Sequence, residues 1–139
     1  MTNNTSGAIT RGAHHIGLTV PDLAKTRGFF IDTLGYEQVG EVPDYPAVFV
    51  TDGTTMITLW QAENAGDATP FDRKNVIGLH HFALLVDNHA ALDALHRRLQ
   101  QSADVDIEFA PESLGGGEVR HMMTYIPGGI RVEFLSPSA

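Results

Sequence analysis

The chain has 139 residues, 42% of them apolar, enough for one domain with an ordinary core. With 17 acidic against 9 basic residues the formal charge is -8, which repels phosphate backbones and anionic membranes and argues against nucleic acid and membrane as partners. Cysteine is absent, so disulfides, thiolate zinc sites and cysteine nucleophiles are excluded, and any metal must be held by nitrogen and oxygen.

Residues 1–10 read as a loose tail. The stretch from Met1 to Ala8 is polar and lacks the basic and apolar segments of a secretory signal. No apolar run reaches the length of a membrane span, so a cytoplasmic protein is expected. Residues 13–20 read as a strand with Ile16, Leu18 and Val20 on one face and His15, Gly17 and Thr19 on the other. Asp22 then caps a helix carrying Leu23, Phe30 and Leu34 near one stripe, and Gly35 suits its C-terminal stop. Three strands follow near 36–42, 46–51 and 55–61, separated by turns at Pro43-Asp44 and Asp52-Gly53.

The polar stretch 63–77 carries Gly66 and Pro70 and reads as a linker. Beyond it the order repeats. A strand covers about 79–86, and Asn88 caps a helix with Ala91, Leu92, Leu95 and Leu99 inward. Strands near 105–110, 119–126 and 130–135 complete the set, the last two joined by the hairpin turn Pro127-Gly128-Gly129. The expected fold is therefore α+β: βαβββ modules over 11–62 and 78–139, paired into a curved, barrel-like mixed sheet with a helix of each module on its outer side.

The repeat is explicit in the residues. Gly12-Ala13-His14-His15-Ile16-Gly17-Leu18-Thr19-Val20 returns as Gly78-Leu79-His80-His81-Phe82-Ala83-Leu84-Leu85-Val86, a G-x-H-H-x-x-L-x-V pattern. By alternation His15 and His81 lie opposite the apolar face that covers the helix, on the concave side of the sheet. In the last strand, Arg131, Glu133 and Leu135 alternate with Val132 and Phe134, so Glu133 joins that concave side. Two histidines and one carboxylate suit a divalent first-row metal with open positions, and a cation would also account for a carboxylate in so apolar a strand.

Three motifs carry a family resemblance: H-x-x-L-x-V-x-D-L from His15 to Leu23, H-x-A-L-x-V-D-N from His81 to Asn88, and P-x-G-x-x-V-E-F from Pro127 to Phe134. The chain resembles the vicinal oxygen chelate superfamily, which includes glyoxalase I, methylmalonyl-CoA epimerase, extradiol dioxygenases, and fosfomycin and bleomycin resistance proteins. The resemblance covers nearly everything beyond residue 10. It implies a divalent metal (Ni, Zn, Co, Fe or Mn) held by His15, His81 and Glu133, with Glu133 also the catalytic proton acceptor. It further implies a homodimer and a small substrate that chelates the metal through adjacent oxygens.

The fourth family ligand falls on the end strand of the first module, where glyoxalase I has Glu and the epimerase Gln. This chain has Thr58 there, and Gln61 lies on the wrong face to replace it. The leading expectation is a glyoxalase I-like lyase or isomerase. The alternatives are an extradiol-type dioxygenase with a His/His/Glu triad, a thiol transferase of the fosfomycin type, or a metal-free binding protein of the bleomycin-resistance kind.

Other polar residues divide by the same alternation. Thr58, His121, Tyr125 and Arg131 are candidates for the cavity wall or for support of the ligands. His14 and His80 are expected beside the site or at the surface, while His89 and His96 belong to the solvated face of the second helix. Arg120 or Arg131 offers a partner for an anionic substrate, with a surface ion pair the plainer role for each. Gly115-Gly116-Gly117 lacks the lysine and strand-to-helix setting of a phosphate loop and reads as a plain loop. Phe49 and Trp60 are expected to pack in the core or at a dimer contact.

Overall fold

A computed structural model of the chain describes residues 7–139; the first six residues of the expected tail lie outside it, and 7–14 form neither helix nor strand. The first module runs β1 (His15–Val20), α1 (Leu23–Gly28), β2 (Glu37–Val42), β3 (Ala47–Thr51) and β4 (Met56–Gln61). The second runs β5 (Phe82–Leu85), α2 (His89–Gln100), β6 (Asp106–Ser113), β7 (Arg120–Tyr125) and β8 (Arg131–Ser136). Both expected helix starts are capped by a side-chain carbonyl or carboxylate. Asp22 Oδ1 accepts the Lys25 N–H at 3.1 Å, and Asn88 Oδ1 accepts the Ala91 N–H at 2.9 Å. The first helix is shorter than its apolar stripe suggests: after Gly28 it widens into a π-helical turn over Phe29–Thr33, and Gly35 follows at φ 78°.

The modules share one topology. The strand order is β1-β4-β3-β2 in one sheet and β5-β8-β7-β6 in the other, with β1 parallel to β4 and β5 parallel to β8. Each helix packs on its own sheet, and each sheet curves without closing into a barrel. β1 and β5 are sheet edges, each paired on one side only.

Alternation holds along both edge strands. Leu18, Val20, Phe82 and Leu84 are buried, whereas His15, Gly17, Thr19, Ala83 and Leu85 are exposed. The buried faces of the two sheets meet in a single apolar cluster: Leu18, Ile57 and Leu59 from the first module join Leu84, Met122 and Phe134 from the second, with Phe30, Leu92 and Leu99 from the helical segments. A buried hydrogen bond from the Thr26 hydroxyl to the Pro127 carbonyl, 3.0 Å long, ties the modules at one point. The faces that carry the candidate ligands are therefore turned away from this shared core.

The segment between the modules is fastened rather than loose. Phe71 meets the Tyr125 ring edge-on at 6.5 Å, and the Arg73 guanidinium pairs with Glu108 at 2.5 Å.

Candidate metal centre and its surroundings

Three strands of the second module converge on one carboxylate. Glu133 stands in the middle of β8, opposite Met123 of β7 and beside Ala83 of β5. It is only 8% exposed, and its partners are two imidazoles. His81 Nε2 lies 3.2 Å from Oε1, and His121 Nδ1 lies 2.5 Å from Oε2. No Lys or Arg among the described residues pairs with Glu133, so offsetting this buried charge falls to the histidines or to a bound cation.

His81 is supported from behind. Its Nδ1 lies 2.7 Å from His80 Nδ1, with the rings edge-on at 4.9 Å. If His81 Nδ1 carries the proton and donates it to His80, Nε2 presents a lone pair toward Glu133, the tautomer a metal ligand requires. His80 is held below the ordinary imidazole range, first by partial desolvation and then by the Arg131 guanidinium, 3.4 Å away. The first module repeats the device, with His14 and His15 Nδ1 atoms 2.9 Å apart. His14 thus belongs with His15, because the alternation of β1 begins only at His15.

The chain does not assemble the three expected ligands by itself. His81 and Glu133 come together, but among the described residues no group of three or more His, Asp or Glu side chains is arranged to hold a metal. His15 stands exposed on the edge strand of the other sheet. The pair that does form fits a metal. Two cis ligands at bond lengths near 2.1 Å lie about 3.0 Å apart in octahedral and about 3.4 Å apart in tetrahedral geometry. The His81–Glu133 separation of 3.2 Å falls within that interval.

Thr58 is opposite Gly17 in the parallel β1–β4 register and is buried, with its hydroxyl oxygen accepting the Trp60 Nε1–H at 2.8 Å. A Cβ at Gly17 would stand 3.1 Å from that oxygen, so a larger residue there would require the Thr58 hydroxyl to give by a few tenths of an ångström. Trp60 also meets Tyr45 edge-on at 4.7 Å and Phe49 at 5.7 Å, making a half-exposed aromatic wall on this face. Gln61 is committed elsewhere: its carbonyl accepts the Leu23 N–H and its amide donates to the Pro21 carbonyl, both at 2.8 Å.

Two expected cavity groups are already in use. Arg131 is buried and donates Nε and one terminal nitrogen to the two oxygens of Glu108, at 3.0 and 2.9 Å. The Tyr125 hydroxyl donates to the same carboxylate at 2.9 Å. These donors, Arg131 foremost, push the Glu108 carboxyl down to about 2. Arg131 and Tyr125 thus share Glu108 with Arg73, while Arg131 also reaches His80 behind His81. Arg120 binds the Pro111 carbonyl and Asp93, the plainer of its two expected roles. His89 departs from the solvated-face expectation, since its Nδ1 lies 2.6 Å from the Ser136 hydroxyl. The Gly115-Gly116-Gly117 loop closes on itself through a Ser113 hydroxyl to Gly117 carbonyl bond of 2.9 Å.

Comparison with known proteins agrees with this architecture. The profile of the Glyoxalase/Bleomycin resistance protein/Dioxygenase superfamily matches residues 12–134. Mitochondrial methylmalonyl-CoA epimerase from Mus musculus is 34% identical over 100 residues, covering 66% of this chain and 56% of that protein. Catechol-2,3-dioxygenase from Bacillus subtilis (strain 168) is 28% identical over 92 residues, covering 63% of this chain and 31% of that protein. The chain thus spans about half of one curated relative and about a third of the other. The glyoxylase/bleomycin resistance protein/dioxygenase domain from Frankia sp. EAN1pec superposes with a TM-score of 0.79 at 22% identity, over 91% of this chain and 92% of that one. At that identity the likeness speaks to the fold.

Proposed function

The chain belongs to the Glyoxalase/Bleomycin resistance protein/Dioxygenase superfamily, and from that premise we propose that it is a divalent-metal-dependent enzyme of the lyase or isomerase kind, acting on a small molecule with two adjacent oxygens. The observation that carries this is the buried Glu133 carboxylate, met by His81 Nε2 at a separation suited to two ligands of one ion. His81 and Glu133 would hold the metal together with His15 of a second copy. A homodimer is part of the proposal: β1 and β5 are unpaired edges, His15 is exposed on the first, and Leu85 beside Ala83 is 74% exposed on the second.

When bound, a divalent ion supplies Lewis-acid polarisation to the two substrate oxygens. The chain's own groups do the rest. Glu133 accepts the substrate proton at a carboxylate oxygen, and its burial opposite apolar Met123 keeps it poorly hydrated. Tyr45, Phe49 and Trp60 form the wall of the other half-site.

Protein purified without chelators and then titrated with Co(II) or Zn(II) tests the metal centre. His15→Ala, His81→Ala and Glu133→Ala each lower occupancy, whereas Thr58→Ala does not. Full occupancy in His81→Ala would refute the ligand set. A monomer by light scattering at micromolar concentration would remove the dimer.

One observation favours a second reading. Thr58 is buried beside Trp60 and offers no carboxylate, so His15, His81 and Glu133 alone would hold the ion. That set suits dioxygen chemistry at Fe(II), and oxygen uptake with a catechol, seen only with Fe(II) or Mn(II), would establish it over the lyase.

A further inference from the structure

We propose that His121 is a positioning residue for the metal centre: its Nδ1–H, donated to Glu133 Oε2, locks the carboxylate as a one-oxygen ligand with Oε1 turned toward His81. The inference rests on the metal-centre proposal above and adds to it a residue on β7, a strand that supplies none of the three proposed ligands.

The two distances about Glu133 differ in kind. The His81 Nε2 to Oε1 separation of 3.2 Å is one that two ligands of a shared ion would also have. The His121 Nδ1 to Oε2 distance of 2.5 Å is shorter than any pair of cis ligands, so no ion sits between those atoms. It is a direct hydrogen bond between the imidazole and the carboxylate. Because a carboxylate has no proton to give, Nδ1 must carry the hydrogen, which fixes the His121 tautomer.

The imidazole is also held where it is. Its side chain is 12% exposed, and its ring lies against Phe109 with centroids 4.9 Å apart. His121 pairs with Leu135 across the β7–β8 ladder, so it reaches Glu133 diagonally on the same face of the sheet. The consequence is geometric. With Oε2 committed to His121, Glu133 would offer a bound ion Oε1 alone.

Two variants separate this role from simple packing. His121→Leu fills the space without a donor, and His121→Asn keeps an N–H donor near the place of Nδ1. Affinity for Co(II) and for Zn(II) is measured by competition with a chromophoric chelator on the full-length protein, with thermal melting as the folding control. The expected result is a 10- to 100-fold loss of affinity in His121→Leu, on the order seen when outer partners of metal ligands are removed, with most of the loss restored in His121→Asn. Wild-type affinity in a folded His121→Leu overturns the inference and leaves the metal centre standing. Equal losses in the two folded variants overturn it as well, because the donor would then not be what matters. A wild-type protein that binds neither ion overturns the metal-centre proposal and this inference together.

Discussion

Glu108→Gln tests whether the guanidinium beside the candidate centre is structural or available to substrate. Arg131 is 6% exposed, and its charge is met by both oxygens of Glu108 at 2.9 and 3.0 Å. Glutamine keeps the size and one acceptor but leaves the buried cation without a counter-charge. Breaking a fully buried pair by removing one partner costs about 3–5 kcal/mol. The Glu108 side chain is a quarter exposed, so screening cuts this to about 2 kcal/mol. For a domain of this size that is a fall in Tm of about 6–8 °C, read by calorimetry or circular dichroism near pH 7. The pH dependence has a definite sign. The folded Glu108 carboxyl is depressed to about 2 from an ordinary 4.5, so its contribution is fully present above the ordinary value and is lost as pH falls toward the folded one. The gap in Tm between wild type and Glu108→Gln therefore closes on acidification below about pH 4. An unchanged Tm in the variant at pH 7, or a gap that widens in acid, would refute this account of Arg131.

Thr58→Val removes the acceptor of the Trp60 indole N–H while preserving shape; the expected cost is about 1 kcal/mol, a fall in Tm of about 3–4 °C, with Co(II) affinity unchanged in the same preparation. His80→Phe takes away the hydrogen-bond partner behind His81 and should weaken Zn(II) binding about tenfold in a competition assay, whereas loss of a mere surface histidine would leave affinity alone. The glutathione hemithioacetal of methylglyoxal should be converted weakly or not at all, because Thr58 supplies no base; robust turnover with Ni(II), Co(II) or Zn(II), abolished by Glu133→Gln, would overturn that.

Strand alternation made the candidate centre legible where the strands are regular. β8 runs without a bulge, so Glu133 could be placed on one face from its neighbours Val132 and Phe134, and it lies there. Alternation fails in two identifiable places. It does not apply before a strand begins, and His14 and His80, expected beside the site or at the surface, lie against His15 and His81. It also fails across irregular pairing: β6 shifts register against β7 at Ile107/Phe109 and again at Phe109/Glu112, so no count along the strand predicts that Glu108 meets Arg131 and Tyr125. The pairing of Arg131 and Tyr125 with Glu108 was for this reason not legible. Thr58 was legible as a departure from the family pattern, but its bond to Trp60 depends on rotamers that a sequence does not encode.

The packing of the modules bears on why a chain would carry the ligand motif twice yet not complete a site alone. Each βαβββ unit has one face that wants its helix and one that carries the histidines. Within the chain, the helix-side faces of both sheets are spent on a common core, with Phe30, Leu92 and Leu99 fully buried. That choice turns the histidine faces away from the core and leaves β1 and β5 as open edges. An internally completed site would require the two histidine faces to meet, which the shared core does not allow. Under the proposed function the meeting is made between copies, β1 of one beside β5 of the other. Metal binding and dimerisation should then be coupled, each strengthening the other. Dilution that dissociates the dimer would weaken Co(II) affinity, and Co(II) would shift light scattering toward the dimer. His15→Ala would lose this second effect while keeping the edges intact. Metal affinity independent of protein concentration would show instead that His81 and Glu133 bind the ion without the second copy.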